Sequence, residues 1–476
     1  MSRRLRTPSS ASVLLAAAGG VVALVGVYWD DAWHTDRGRD TFWSPPHLLL
    51  YAGVAAATLT VLAVVRRPAG TAQLLAVAGG VAVLASAPVD EAWHSAFGRD
   101  AVLWSPPHML AVVASLALAV GVLAIARGKP GHAGATARLT AAATVVGSLQ
   151  VPVLEFDSDV PQFPTWSYIP VAVVGWLVSV VFVRRLVPGR WAFTAAAAVY
   201  TVVRLGVASF LDILGHSGTI VPPLLVLAVF DDVLAQRGQR ERVRLAAQAA
   251  VAPLLWFGWL AVAGDAGTTV PAGDLPAVVA LTVVGAVFVG VLVGVAPTVR
   301  ATTTVSLVLL VVIAFGLDRA PRAAAHDPGQ GSDMQPATLE VRRTDTGTVA
   351  VALTITDGRC DNLVASRTVA RRAGETRHGS LRSEGACRWR GEVDVRDDGR
   401  WFIYVELDAQ GQTVELWVPL ARHESVATIE RPMYAPPTRP PRRLQSTAGV
   451  VLYAAVAGGL IATARASRRL AAPTAP

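Results

Sequence analysis

Two stretches of this sequence place a carboxylate and two imidazoles at the end of an apolar run. The first is "DDAWHTDRGRDTFWSPPH", Asp30 to His47; the second, about sixty residues on, is "DEAWHSAFGRDAVLWSPPH", Asp90 to His108. Asp30 and His34 are four apart, as are Asp90 and His94, so on a continuing helix each pair shares a face with Cβ atoms about 5–6 Å apart. The second imidazole follows thirteen or fourteen residues after the first, at His47 and His108. It stands behind a Ser-Pro-Pro that suits a helix start: Ser44 or Ser105 caps, and the prolines occupy a first turn whose N–H groups need no partner. One Asp and two His gathered between antiparallel helices, with coordination positions left open, suit Cu(II), Zn(II) or non-haem Fe(II). Arg39–Asp40 and Arg99–Asp100 lie in the intervening loops, where they would hold the ligands in orientation.

Each part also has a purely structural reading. Trp-Ser-Pro-Pro can be capping combined with an interfacial aromatic belt, and the Arg–Asp steps can be loop salt bridges of little worth. The recurrence of all three ligand types in two copies favours metal, and Asp212 with His216 repeats the Asp-x3-His spacing a third time. Arg204 falls well within an apolar span and Glu155 near the end of another, where a charge is expensive. They read equally as a polar network below the metal face and as an Arg–carboxylate staple between helices. Asp231 and Asp232, near Arg237, read as a solvated helix cap.

The elements that must position these residues are membrane helices. Hydrophobic residues make up 53% of the 476 and charged ones 16%, and the mean hydropathy is +0.46, a composition foreign to a water-soluble globule. A bilayer core takes about 20 apolar residues per helix. Twelve such runs are expected, at roughly 11–29, 47–65, 72–89, 108–126, 138–154, 167–183, 192–211, 219–235, 245–263, 276–297, 301–317 and 446–464. Alternate loops carry the basic residues (Arg66 and Arg67; Arg127 and Lys129; Arg184 and Arg185; Arg240, Arg242 and Arg244), which puts both termini in the cytoplasm and the two motifs on the outer face. Arg431, Arg439, Arg442 and Arg443 run against this bias, at the end of a long loop where the rule is weak. The net charge of +8 is mostly this loop bias, so nucleic acid is not an expected partner. The first 28 residues are read as a retained helix and not as a cleaved leader, because the second motif follows an apolar run inside the chain.

Residues 1–317 thus form the membrane domain, with repeats of about sixty residues, each a helix, a polar motif and a helix back; weaker traces follow at 154–170 and 210–223. Residues 318–334 are a linker rich in Pro, Gly and Ala. From 335 to 430 the apolar period changes to two, in segments such as "TVAVALTI", "RWFIYVELDA" and "TVELWVPL", which predicts a small antiparallel β-sandwich outside the cytoplasm. Cys360 and Cys387, both within it, suit one disulfide in an oxidising compartment, with two free thiols as the alternative. Its histidines, His378 and His423, and the nearby Met334 and Met433 make no blue-copper set with a cysteine, so the domain reads as an interaction or substrate-delivery module. A Pro/Arg-rich stalk at 431–445 leads to a last helix and cytoplasmic tail at 446–476.

The first motif resembles the metal-binding segment of the C subunit of particulate methane and ammonia monooxygenases, through Asp30, Trp33, His34, Arg39, Asp40, Thr41, Trp43, Ser44, Pro45 and His47. That family carries a second site with its histidines fourteen apart, the spacing of His94 and His108, although it typically has Asn where this chain has Asp90. The resemblance covers roughly residues 25–115. It implies a copper site that activates O2 for oxidation of a small apolar or amine substrate, with zinc or iron as alternatives from the ligand set alone. Those enzymes are three-subunit assemblies, so it also implies other membrane subunits as partners; a homo-oligomer is the alternative. The competing expectations are a transition-metal transporter or metal-handling protein of the cell membrane, and a scaffold that presents the extracytoplasmic domain.

Overall fold

The computed structural model describes residues 8–37, 43–64, 70–97, 103–157, 165–263, 270–292, 332–344, 347–356, 360–372, 375–395, 399–421, 424–435 and 442–471. Twelve α-helices and eight strands lie among them. The helices are α1 (Ser10–Arg37), α2 (Pro45–Val64), α3 (Thr71–Phe97), α4 (Pro106–Ala126), α5 (Gly131–Gln150), the short α6 (Leu154–Asp157), α7 (Tyr168–Leu186), α8 (Ala192–Ile213), α9 (Leu224–Gln236), α10 (Glu241–Ala263), α11 (Leu275–Leu292) and α12 (Arg442–Ala471). Among the described residues, ten helical segments are long and apolar enough to cross a bilayer, which makes this a multi-pass membrane protein. Twelve were expected. The span at 301–317 lies outside the described residues, and the one at 219–235 proves to be a 13-residue helix, α9.

The shortness of α9 has a local cause. Gly215, with φ at +70°, ends α8, and Pro222–Pro223 delay the next helix, so the chain between runs without helical hydrogen bonds. Non-helical backbone at membrane depth must find its partners within the protein. Ile220 is buried, and its carbonyl accepts a hydrogen bond from the guanidinium of Arg204, itself 2% exposed.

Helices α1–α2 and α3–α4 are two hairpins packed through glycines at a period of sixty, Gly19 in one and Gly79 in the other. A Cβ on Gly53 would stand 2.5 Å from the Ala23 nitrogen, and one on Gly79 2.4 Å from the Leu118 nitrogen, so each hairpin's backbones touch where no side chain fits. α5 covers both hairpins, and α12 returns beside α4, where the Tyr453 hydroxyl donates to the Trp104 carbonyl.

Asp231 and Asp232 are not solvated. Both are fully buried on α9: the Arg184 guanidinium from α7 pairs with both, Nε standing 2.7 Å from Asp231, while the Thr194 N–H from α8 donates to Asp232 at 2.7 Å. Arg244 of α10 approaches Asp231 at 3.7 Å. The acids face the neighbouring helices because the apolar side chains of α9 share that face.

The predicted sandwich is instead a closed barrel. Strands β1 (Ser332–Arg343), β2 (Thr348–Ile355), β3 (Leu363–Arg372), β4 (Glu375–Gly385), β5 (Arg388–Asp394), β6 (Trp401–Ala409), β7 (Gln412–Leu420) and β8 (Val426–Ala435) follow the order β1-β2-β5-β4-β3-β6-β7-β8, all pairs antiparallel, with β8 pairing back onto β1. Alternation puts one face of each strand inward in either architecture; closure depends on pairings between distant strands such as Leu339↔Ile429. The core is the alternating set Leu339, Val341, Val351, Leu353, Ile403, Val405, Leu416 and Val418. Cys360 and Cys387 form a disulfide, with Cα atoms 5.5 Å apart.

Candidate metal centre

α1 does not stop where its apolar run ends but continues to Arg37, which puts Asp30 and His34 on successive turns of one face. α2 begins at Pro45. Ser44, buried, accepts the Leu48 N–H on its carbonyl at 3.0 Å, and the first turn that follows delivers His47. The carboxylate Oδ1 of Asp30 lies 3.2 Å from His47 Nε2 and 3.7 Å from His34 Nε2. One ligand atom from each of the three residues falls within 4.8 Å of the other two. Two ligands about 2.1 Å from one ion are at most about 4.2 Å apart, so small rotations of partly exposed side chains would close the set.

The second motif repeats the plan in part. Ser105 has the extended backbone of an N-cap, φ −61° and ψ 151°, and its hydroxyl accepts the His108 N–H at 3.4 Å. Asp90 Oδ1 lies 3.2 Å from His108 Nε2. His94 is on α3, with its side chain outside the described residues, and Arg39, Asp40, Arg99 and Asp100 lie outside them altogether. Glu155 holds this motif in place: buried on α6, it accepts the Leu103 N–H at 2.9 Å, one residue before the indole of Trp104 donates to the Pro152 carbonyl.

The two motifs open onto one cavity. Asp30 and His47 from the first hairpin and Asp90 and His108 from the second line its mouth, and about 140 Å³ of space continues below them between α1, α2, α3, α4 and α5. Each repeat was expected to gather its own Asp and two His; the packing of the hairpins turns Asp30 and Asp90 onto one cavity. Below the mouth the walls are mainly aliphatic, and of the hydroxyls among them those of Ser86 and Thr144 bond to the carbonyls of Val83 and Thr140 in their own helices.

The third Asp-x3-His does not form a pair. Gly215 ends α8 between Asp212 and His216, so the two leave the shared face that a continuous helix would give them. Asp212 is exposed, and His216 Nδ1 stands 3.0 Å from Asp36 on the last turn of α1, its ring 5.7 Å from that of Trp33. Asp36 also accepts the Ser217 N–H at 2.6 Å, and Arg400, just before β6, reaches both Ser217 and Asp36. This knot fastens the barrel to the motif-bearing helix. Residues so distant in the chain carry no shared spacing, and nothing in the sequence pointed to Asp36, Ser217 or Arg400 acting together. Arg204 lies lower, its guanidinium 3.9 Å over the Tyr28 ring, while the Tyr28 and Tyr200 hydroxyls are 2.8 Å apart.

Comparison with protein-family models, with curated proteins and with solved structures returns no match for this chain.

Proposed function

We propose that this chain is a membrane metalloprotein that binds a transition-metal ion between Asp30, His34 and His47, at the head of an apolar cavity. The observation that carries the proposal is the convergence of those three ligand atoms within 4.8 Å of one another. Two imidazoles and a carboxylate fit copper, zinc or iron equally; the pattern from Asp30 to His47 favours copper through its resemblance to the monooxygenase C subunit. Bound copper would supply redox chemistry toward O2, with a two-electron donor from outside the chain. The protein's own part is simpler to state. Asp30 offsets the ion's charge and joins α1 to α2 through His47, and the aliphatic walls below hold an apolar substrate and keep water out. Such walls suit a hydrophobic substrate better than an ion in transit, which favours oxidation over transport. The arginine-bearing loops support placing the mouth and the barrel outside the cytoplasm, in the cell membrane.

The test is metal analysis of the purified full-length protein beside its His34→Ala form, followed by oxygen uptake with copper restored to stripped membranes. Stoichiometric metal in the wild type and its loss in the variant are expected. Equal metal in both would remove the centre from this site, and metal-independent oxygen uptake would remove the catalysis.

A further inference from the structure

The cavity below the mouth is long and narrow. On α1 its lining residues run from Ala16 to Asp30, fourteen residues or about 21 Å at 1.5 Å per residue; on α4 they run from Pro107 to Val122, about 22 Å. One leaflet's share of a hydrocarbon core about 30 Å thick is about 15 Å. The cavity therefore reaches past the depth that one leaflet's hydrocarbon occupies. A compact space of about 150 Å³ accepts a benzene ring, but the 140 Å³ here is drawn out over that depth and leaves room for a single file of methylenes. Ala16, Ala57, Val122 and Ala141 lie at its far end, with Ala119 one turn before Val122.

We infer that the cavity binds one linear alkyl chain, threaded tail-first from the mouth, whose polar end is neutral or cationic. The end group follows from charge in the metal-free protein: Asp30 and Asp90 both line the mouth, each beside one imidazole, His47 or His108, and a carboxylate head would meet two like charges there. A long-chain alcohol or amine has the right chemistry, and so does one tail of a membrane lipid with a zwitterionic head. The inference deepens the metal reading by naming what would be presented to the centre, and it rests on that reading only for what happens at the mouth.

The experiment uses the full-length protein in amphipol, stripped of metal, with straight-chain alcohols carrying a photoreactive diazirine at a chosen carbon. Labelled residues are mapped by mass spectrometry. A diazirine near the hydroxyl should label around Leu50 and Val112, and one at the chain terminus around Ala16 and Ala119. Half-labelling concentrations should fall roughly fourfold per added methylene, the worth of one buried CH2, until the chain fills the depth. Ala119→Trp should abolish the deep labels and keep the shallow ones. The equivalent fatty acid should label at least tenfold more weakly. Lipid extraction of the same sample separates the two sources: a stoichiometric phospholipid displaced by the alcohol assigns the cavity to a lipid tail, and its absence assigns it to the free amphiphile. His34 does not line the cavity. Unchanged labelling in His34→Ala therefore keeps the inference even if that variant retains its metal and the metal reading fails. Labels whose depth ignores the diazirine position, or that fall equally on the exposed Leu59 and Leu62, would overturn it.

Discussion

Replacing Arg184 with alanine distinguishes a buried charge cluster from a solvated cap by magnitude alone. Asp231 and Asp232 have no exposed surface, and the Arg184 side chain is only 13% exposed. Without it, Asp232 keeps Thr194, and Asp231 keeps Arg244 at 3.7 Å. Two adjacent carboxylates then share one distant cation inside the helix bundle. Removing one member of a buried ion pair costs about 3–5 kcal/mol, because the remaining charge is left uncompensated. An exposed pair is worth about 0–1 kcal/mol. The Arg342–Glu340 pair, at 3.1 Å and with side chains 63% and 45% exposed, is an internal reference of that second kind. Equilibrium unfolding in mixed micelles, with the fraction of anionic detergent as denaturant, gives both values on one protein. Arg184→Ala should cost several times what Arg342→Ala does, and the cost should shrink when Asp231→Leu is added, since a shared partner makes the two changes non-additive. A loss below about 1 kcal/mol for Arg184→Ala, within the exposed-pair range, would refute burial as the reason these acids are paired.

Asp30→Asn keeps the shape of the candidate ligand and removes its charge. Structural zinc sites bind with about 10–16 kcal/mol over four ligands, roughly 3 kcal/mol each, so metal affinity in a chelator competition should drop by about two orders of magnitude; His132→Ala, at an exposed residue, should leave it unchanged. The disulfide closes a 27-residue separation, for which the chain-entropy estimate is about 3.5 kcal/mol, so Cys360→Ser should lower the barrel's unfolding midpoint and a reductant should do the same to the wild type. Burial raises the Tyr404 phenol above its usual value near 10, so the folded phenol stays neutral while the unfolded one ionises. Its contribution to barrel stability is complete below pH 10 and is lost as pH rises from there, a trend that Tyr404→Phe should flatten in unfolding curves taken at successive pH values.

The sequence by itself determined the membrane class, the helix carrying Asp30 and His34 and the helix start carrying His47. Each of these is a local matter: run length against bilayer thickness, a four-residue spacing on one helix face, and a Ser-Pro-Pro that caps a first turn. The pairing of Asp30 with both histidines needed only one short hairpin, so it too was legible. Where a break in the local pattern intervened, the same spacing misled: Gly215 separates Asp212 from His216, and Pro222–Pro223 shorten α9. The tertiary structure decided everything that depends on which distant surfaces meet. It turned two repeats toward one mouth, buried Asp231 and Asp232 against Arg184, closed eight strands into a barrel and tied Arg400 to Asp36. Alternation and amphipathic spacing say which face of an element is apolar but not which neighbour covers it, and that choice is made by the shape and charge of partners far along the chain.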